Sequence, residues 1–197
     1  APEVQAAACG DEGALDVANA GPKELAEWAR AAAGSGFVDL LERVLLPAGA
    51  PVGVIPEGGG MTAVMAAAQN GQLAALHVVL DAPGGEAAVH QQRPDGQTAL
   101  VEAAAGGCTA EARLLLQHGA DPNLADNDGN SPLIRAAMAS GDAGRGVAAL
   151  LLDAEAEIDH QSGEGSTALS FACQCSNVEV ARLLLERGAN KDLKNNN

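Results

Sequence analysis

Residues 98–120 read TALVEAAAGGCTAEARLLLQHGA. The stretch opens on a hydroxyl at Thr98, which can accept from an early backbone N–H and cap a helix start. An alanine-rich helix, a short turn and a second helix with Leu114-Leu115-Leu116 follow, and Gly119 stands where a left-handed cap is expected. The same design recurs in TAVMAAAQNG from Thr62, SPLIRAAMAS from Ser131 and TALSFACQCS from Thr167, at steps of 36, 33 and 36 residues. Apolar triplets keep the rhythm at Val78-Val79-Leu80, Leu150-Leu151-Leu152 and Leu183-Leu184-Leu185. A fixed period of this length marks a chain of stacked units, because one such unit cannot bury its apolar face alone.

Composition agrees. The 197 residues include 43 Ala and 24 Gly, but one Trp, two Phe, three Met and no Tyr. Compact cores draw much of their volume from aromatics, so a thin core between closely approaching helices is expected. The pairs Ala67-Ala68, Ala103-Ala104 and Ala136-Ala137 mark that approach. Pro132 sits in a first helical turn, where its missing N–H costs nothing.

The units resemble ankyrin repeats. The residues that carry the resemblance are DGQTALVEAAAGG…ARLLLQHGADPN over 95–123, DGNSPLIRAAMASG…LLLDAEAEID over 128–159 and GSTALSFACQCSNVEVARLLLERGANKD over 165–192. A weaker unit runs from Met61 to about Gln92, and a degenerate one holds AAAGSG from Ala31 and FVDLLERVLLPAGAP from Phe37. The resemblance implies an all-α solenoid of helix-turn-helix units with projecting β-turn loops. It divides the chain into an acidic, Ala/Gly-rich extension over 1–22, a repeat domain over 23–194 and a polar tail over 195–197. The units fall at about 23–57, 58–94, 95–127, 128–163 and 164–194. The family's usual His is replaced by Met65, Val101, Ile134 and Ser170, so its Thr–His bracing is expected to be absent. Gly141–Gly146 (GDAGRG) reads as an insertion between two helices, Gly58-Gly59-Gly60 as a flexible link, and KNNN from Lys194 as a fraying polar edge.

Charge limits the partners. Lys and Arg number 11 against 26 Asp and Glu, a formal charge of -15. Nucleic-acid binding needs clustered cations, and anionic lipid headgroups repel such a chain. The excess favours a basic or neutral protein surface, and it also simply keeps an Ala-rich chain in solution. No apolar run is long enough to span a bilayer. The first residues, APEVQAAACG, do not read as a signal peptide, and the missing initiator Met fits a trimmed Met, a removed leader or a fragment.

Nothing gathers into a catalytic set. Cys9, Cys108, Cys173 and Cys175 form no disulfide framework, and the C-x-C pair completes no zinc site, so a reducing compartment is expected. His77 and His118 belong to second helices, where His118 suits the helix dipole. His90 and His160 fall in loops. There is no G-x-S-x-G and no phosphate-binding loop. Asp126-Asn127-Asp128-Gly129 lacks the ligand spacing of a calcium loop and reads as turn chemistry. No catalytic residue, metal or cofactor is expected.

What remains is a binding surface. By the resemblance, the loops project as fingers and the first helices line a concave face. The finger positions are Arg93, Asp95, Asp126, Asp128, His160 and Glu164. The concave positions are Ala66, Glu102, Arg135 and Phe171. Phe171 is either an apolar anchor or a packing residue between repeats, and Trp28 is expected to fill the core of the first unit. The expected function is non-catalytic binding of a protein partner, with an intracellular, cytoplasmic setting. The alternative is a permanent structural subunit of a large multiprotein assembly, an organellar membrane complex included.

Overall fold

A computed structural model describes residues 2–9, 15–55, 59–139, 142–193 and 195–196, with the backbone alone for Asp142. Its helices are α1 Pro2–Ala8, α2 Pro22–Ser35, α3 Val38–Leu40 running into a π-helical turn at Leu41–Leu45, α4 Ala63–Gln69, α5 Leu73–Asp81 and α6 Gly85–Val89. There follow α7 Ala99–Ala105, α8 Thr109–Gln117, α9 Pro132–Met138, α10 Asp142–Asp153, α11 Ala168–Gln174 and α12 Val178–Glu186. No strand occurs among the described residues.

The helices pair into five units, and the units stack. The inner helices α2, α4, α7, α9 and α11 lie against one another in that order. The outer helices α5, α8, α10 and α12 form a second row behind them, with the π-helical turn against α5. One continuous apolar core runs between the rows, built largely from fully buried alanines and one central triplet residue per unit, Val79, Leu115, Leu151 and Leu184. The architecture is therefore the all-α solenoid that the period implies. Trp28 is half-buried and packs on this core in the first unit. The N-terminal stretch contributes α1, whose Val4 is buried in the same core. Gly10–Ala14 of that stretch lie outside the described residues.

Four inner helices start on the expected hydroxyls. Thr62, Thr98, Ser131 and Thr167 accept from the N–H groups of Met65, Val101, Ile134 and Ser170. In the units with Met65, Val101 and Ile134 those side chains are fully buried, so apolar packing replaces the family's polar brace. The last unit also lacks a Thr–His brace, but a polar cap takes its place. Ser170 Oγ accepts from Thr167 N at 2.7 Å and donates to Thr167 O at 2.8 Å, closing a reciprocal cap.

One segment differs in form from its sequence reading. The extra residues of the Gly-rich segment after Gly141 are taken up as helix and not as a loop: α10 starts at Asp142 and runs 12 residues against 9 in α8 and α12, so Gly144 and Gly146 are helical. Ser140 and Gly141 lie outside the described residues. The glycines serve close approach. A Cβ on Gly144 would stand 2.4 Å from Ala136 O, and one on Gly146 2.8 Å from Thr109 Oγ1. The loop after α5 carries an extra turn, α6. Of the Gly58-Gly59-Gly60 link, Gly58 lies outside the described residues, and Gly59 adopts a positive φ of 84°.

The outer helices of the third and fifth units end on left-handed Gly119 and Gly188, at φ 83° and 92°. The fourth unit places Glu155 there at φ 62°, a conformation that costs a non-glycine residue about 1 kcal/mol. Glu155→Gly is therefore expected to stabilise the chain by up to about 1 kcal/mol, read as a rise in the urea midpoint. A variant no more stable than the parent would show that the cap is unstrained.

Candidate functional site

The fingers are tight turns closed by their own backbone. Arg93 N donates to Gln97 O at 2.9 Å, Asp126 N to Asn130 O at 3.1 Å and Ser162 N to Ser166 O at 2.9 Å. Adjacent fingers are also joined. Asn127 N donates to Asp95 O at 3.0 Å and Gly163 N to Asp128 O at 2.8 Å. Asn127 Nδ2 adds a bond to Pro94 O at 2.8 Å. The tail continues the row: Asn196 N donates to Glu164 O at 2.9 Å and its Nδ2 to Gly163 O at 3.3 Å. The expected fraying therefore does not extend to Asn196, while Lys194 and Asn197 lie outside the described residues. Asp95, Asp128 and Glu164 occupy the same position of three successive fingers, and all three are exposed.

Two ion pairs tie fingers to inner helices, and their charges are exchanged. In the third unit Arg93 Nη1 donates to Glu102 Oε1 at 2.8 Å and Nη2 pairs with Asp95 at 3.0 Å. In the fourth unit the acid is on the finger: Asp126 accepts from Arg135 through both Nε and Nη2. Arg93 and Asp126 are equivalent positions, as are Glu102 and Arg135. The fifth unit carries Ser162 and Phe171 there and forms no such pair.

These pairs change the role of two expected contact residues. Glu102 and Asp126 side chains are only 3% and 2% exposed, because each carboxylate is folded under its arginine. They present no carboxylate to a partner and instead position the finger. Glu102 also accepts from Gln69 Nε2 of the preceding unit at 2.7 Å. Asp126 accepts from Asn130 N at 2.8 Å and Asp128 N at 3.1 Å. Arg93 and Arg135, also expected contacts, are half-buried in these pairs. His160 is half-buried, with Nε2 3.0 Å from Gly129 O of the previous finger, so it too braces the row. Ala66, expected on the concave face, is buried.

Burial pushes the Glu102 carboxyl up, and Arg93 and Gln69 offset only part of that. Burial acts on Asp126 in the same sense, but Arg135 and the Asn130 N–H outweigh it and hold the carboxyl below its ordinary value. The two act with opposite signs on stability. The Asp126 contribution is complete above the ordinary aspartate value and is lost as pH falls through the lowered one. The Glu102 contribution is complete below the ordinary glutamate value and is lost as pH rises through the raised one. Asp126→Asn should therefore lose less stability than the parent on acidification, measured by urea unfolding at neutral and acidic pH. An unchanged pH slope would contradict this.

The geometry brings three expected residues together. Asp128, Glu164 and Phe171 line one groove of about 540 Å³ between the fourth and fifth fingers. Its apolar lining is Phe171, half-buried, and Met138, 39% exposed. Met138 was not expected here. It occupies the position of Gln69, seven residues after the capping hydroxyl, and Gln69 meets Glu102 across one repeat as Met138 faces Phe171. That shared register is the signal that could have found it.

Among the described residues no three His, Cys, Asp or Glu side chains gather as metal ligands. Cys9, Cys173 and Cys175 are exposed. Cys108 Sγ donates to Gln69 O at 3.5 Å, and burial pushes its thiol up. No helix is long and apolar enough to cross a membrane among the described residues.

Comparison with known proteins agrees with the geometry. A family model described as Ankyrin repeats (3 copies) matches residues 65–162 and 124–195. The B-cell lymphoma 3 protein homolog of Mus musculus is 33% identical over 155 residues, 78% of this chain and 34% of that protein. The Neurogenic locus notch homolog protein 1 of Mus musculus is 33% identical over 138 residues, 70% of this chain and 5% of that protein. The human Neurogenic locus notch homolog protein 2 is 40% identical over 70 residues, 36% of this chain and 3% of that protein. The chain thus spans about a third or less of these relatives.

Proposed function

This chain belongs to the ankyrin-repeat family, whose repeats are protein-interaction modules, and from that premise we propose that it is a non-catalytic binder of a protein partner, engaged through its fingers and concave face. The observation that supports this most is the joined finger row. Backbone bonds from finger to finger hold Asp95, Asp128 and Glu164 at one repeat position, so the exposed Asp128 and Glu164 carboxylates stand on a preorganised edge, with Asp95 shared with Arg93. Preorganisation lowers the ordering cost of association.

The charge of the edge favours a basic partner surface. Opposite charge speeds encounter and discriminates among partners more than it adds affinity. Binding of the partner should weaken as salt is raised. Partner affinity independent of ionic strength would remove the basic partner from this reading.

The surface itself is tested by chemical cross-linking of the full chain to its co-purified partner, with mass spectrometry of the linked peptides. Links are expected at the fingers and at α7, α9 and α11. Links confined to the outer helices α5, α8, α10 and α12 would overturn the proposal.

A further inference from the structure

We propose that the groove between the fourth and fifth fingers is a docking pocket for one segment of a partner protein, in which a large apolar side chain is flanked by lysine or arginine. This deepens the partner-binding reading and rests on it. One and two repeats earlier the equivalent space is filled. There the concave position is occupied by Arg135 folded onto Asp126, and by Glu102 held between Arg93 and Gln69. In each unit the two side chains fold onto one another at the concave position and leave the carboxylate almost fully buried.

In the fifth unit Ser162 and Phe171 replace the two members of the pair. A serine and a phenylalanine cannot form an ion pair, so nothing folds across, and the groove stays open over the Phe171 ring. Met138 from the preceding inner helix completes the apolar lining. A thioether beside an aromatic ring is adaptable and takes side chains of varied shape. A half-buried aromatic ring lining a groove is the kind of residue that can anchor an interface.

The rim supplies the second half of the recognition. Asp128 and Glu164 line the same groove from adjacent fingers, and neither is engaged by a cation of the described chain. Asp95, by contrast, is already paired with Arg93. The open apolar space and two carboxylates that no cation among the described residues engages therefore coincide in one place. Charge complementarity selects a cationic flank, and the overall charge of -15 disfavours an acidic segment.

The test is panning of a random peptide library displayed on phage against the immobilised full chain at low salt. Enriched peptides are expected to carry a large apolar residue next to lysine or arginine. Their affinity, measured by fluorescence polarisation of the synthetic peptides, should fall about tenfold for Phe171→Ala. The exposed pair Asp128→Asn with Glu164→Gln leaves the packing untouched and should weaken binding about tenfold and flatten its salt dependence. Thermal melting of each variant separates lost binding from lost fold. Acidic or purely polar peptides, no enrichment, or affinities unchanged in the charge variant would overturn the pocket. Peptides that instead depend on the Arg93–Asp95 end would overturn it while leaving the partner-binding reading in place, which the cross-linking map judges by itself.

Discussion

Replacing Asp126 by Arg is expected to cost the chain about 3 kcal/mol, and replacing Arg135 by Glu about as much, whereas the two together should recover most of the loss. Either single change puts two like charges into a contact where one side chain is only 2% exposed. Such a buried, uncompensated charge is far more costly than a broken surface pair. The double variant installs the third unit's arrangement in the fourth. That arrangement already holds on the same backbone, with Arg93 on the finger and Glu102 on the helix.

One further detail decides whether the exchange works. Asp126 also accepts from Asn130 N and Asp128 N, which an arginine cannot do. In the third unit Asp95 takes over that work: its Oδ1 accepts from Gln97 N at 3.2 Å while its Oδ2 holds Arg93. Asp128 stands at the same finger position as Asp95, is exposed, and has no side-chain partner among the described residues, so it can do the same. Urea unfolding of the parent, both single variants and the double variant measures the coupling. A double variant as unstable as the sum of the singles would show that the two pairs are not interchangeable.

The same pairs show where sequence reading stops. Capping hydroxyls, alanine pairs and leucine triplets are local signals, so the helices of the last four units were legible from spacing alone. Glu102 and Asp126 were read as contact residues because the repeat position says which face a residue belongs to. It does not say whether the side chain folds back onto a partner nine residues away. Opposite charges at that spacing, reversed between the third and fourth units and missing from the fifth, are the visible trace of the pairing. The glycines of α10 misled for a related reason. Glycine signals a loop when only the backbone is considered, but here Gly144 and Gly146 admit neighbouring helices at distances that a Cβ would block. The short helix α6 gave no periodic signal, being a single turn.

Leu184→Ala carries the other large effect, and its consequence is expected to be local. Leu184 is fully buried at the centre of the last unit, and emptying such a site costs about 2–5 kcal/mol. A solenoid's stability is close to a sum of unit terms and interfaces between neighbours. The fifth unit has one described neighbour, since α11 packs on α9 and α12 on α10. Its Leu185 is 51% exposed, whereas the counterparts Leu116 and Leu152 are half-buried. A loss of that size exceeds what a single interface readily compensates, so α11 and α12 should open while α7 to α10 stay folded. Hydrogen exchange should then show protection lost over residues 167–189 and retained over 98–139. Because α11 carries Phe171, peptide binding at the groove should disappear with it. Leu115→Ala, at the equivalent site in the middle of the array, should instead lower protection on both sides of α8. Uniform loss of protection along the chain for Leu184→Ala would mean that the five units fold as one cooperative body, and that the groove cannot open or close independently of the rest.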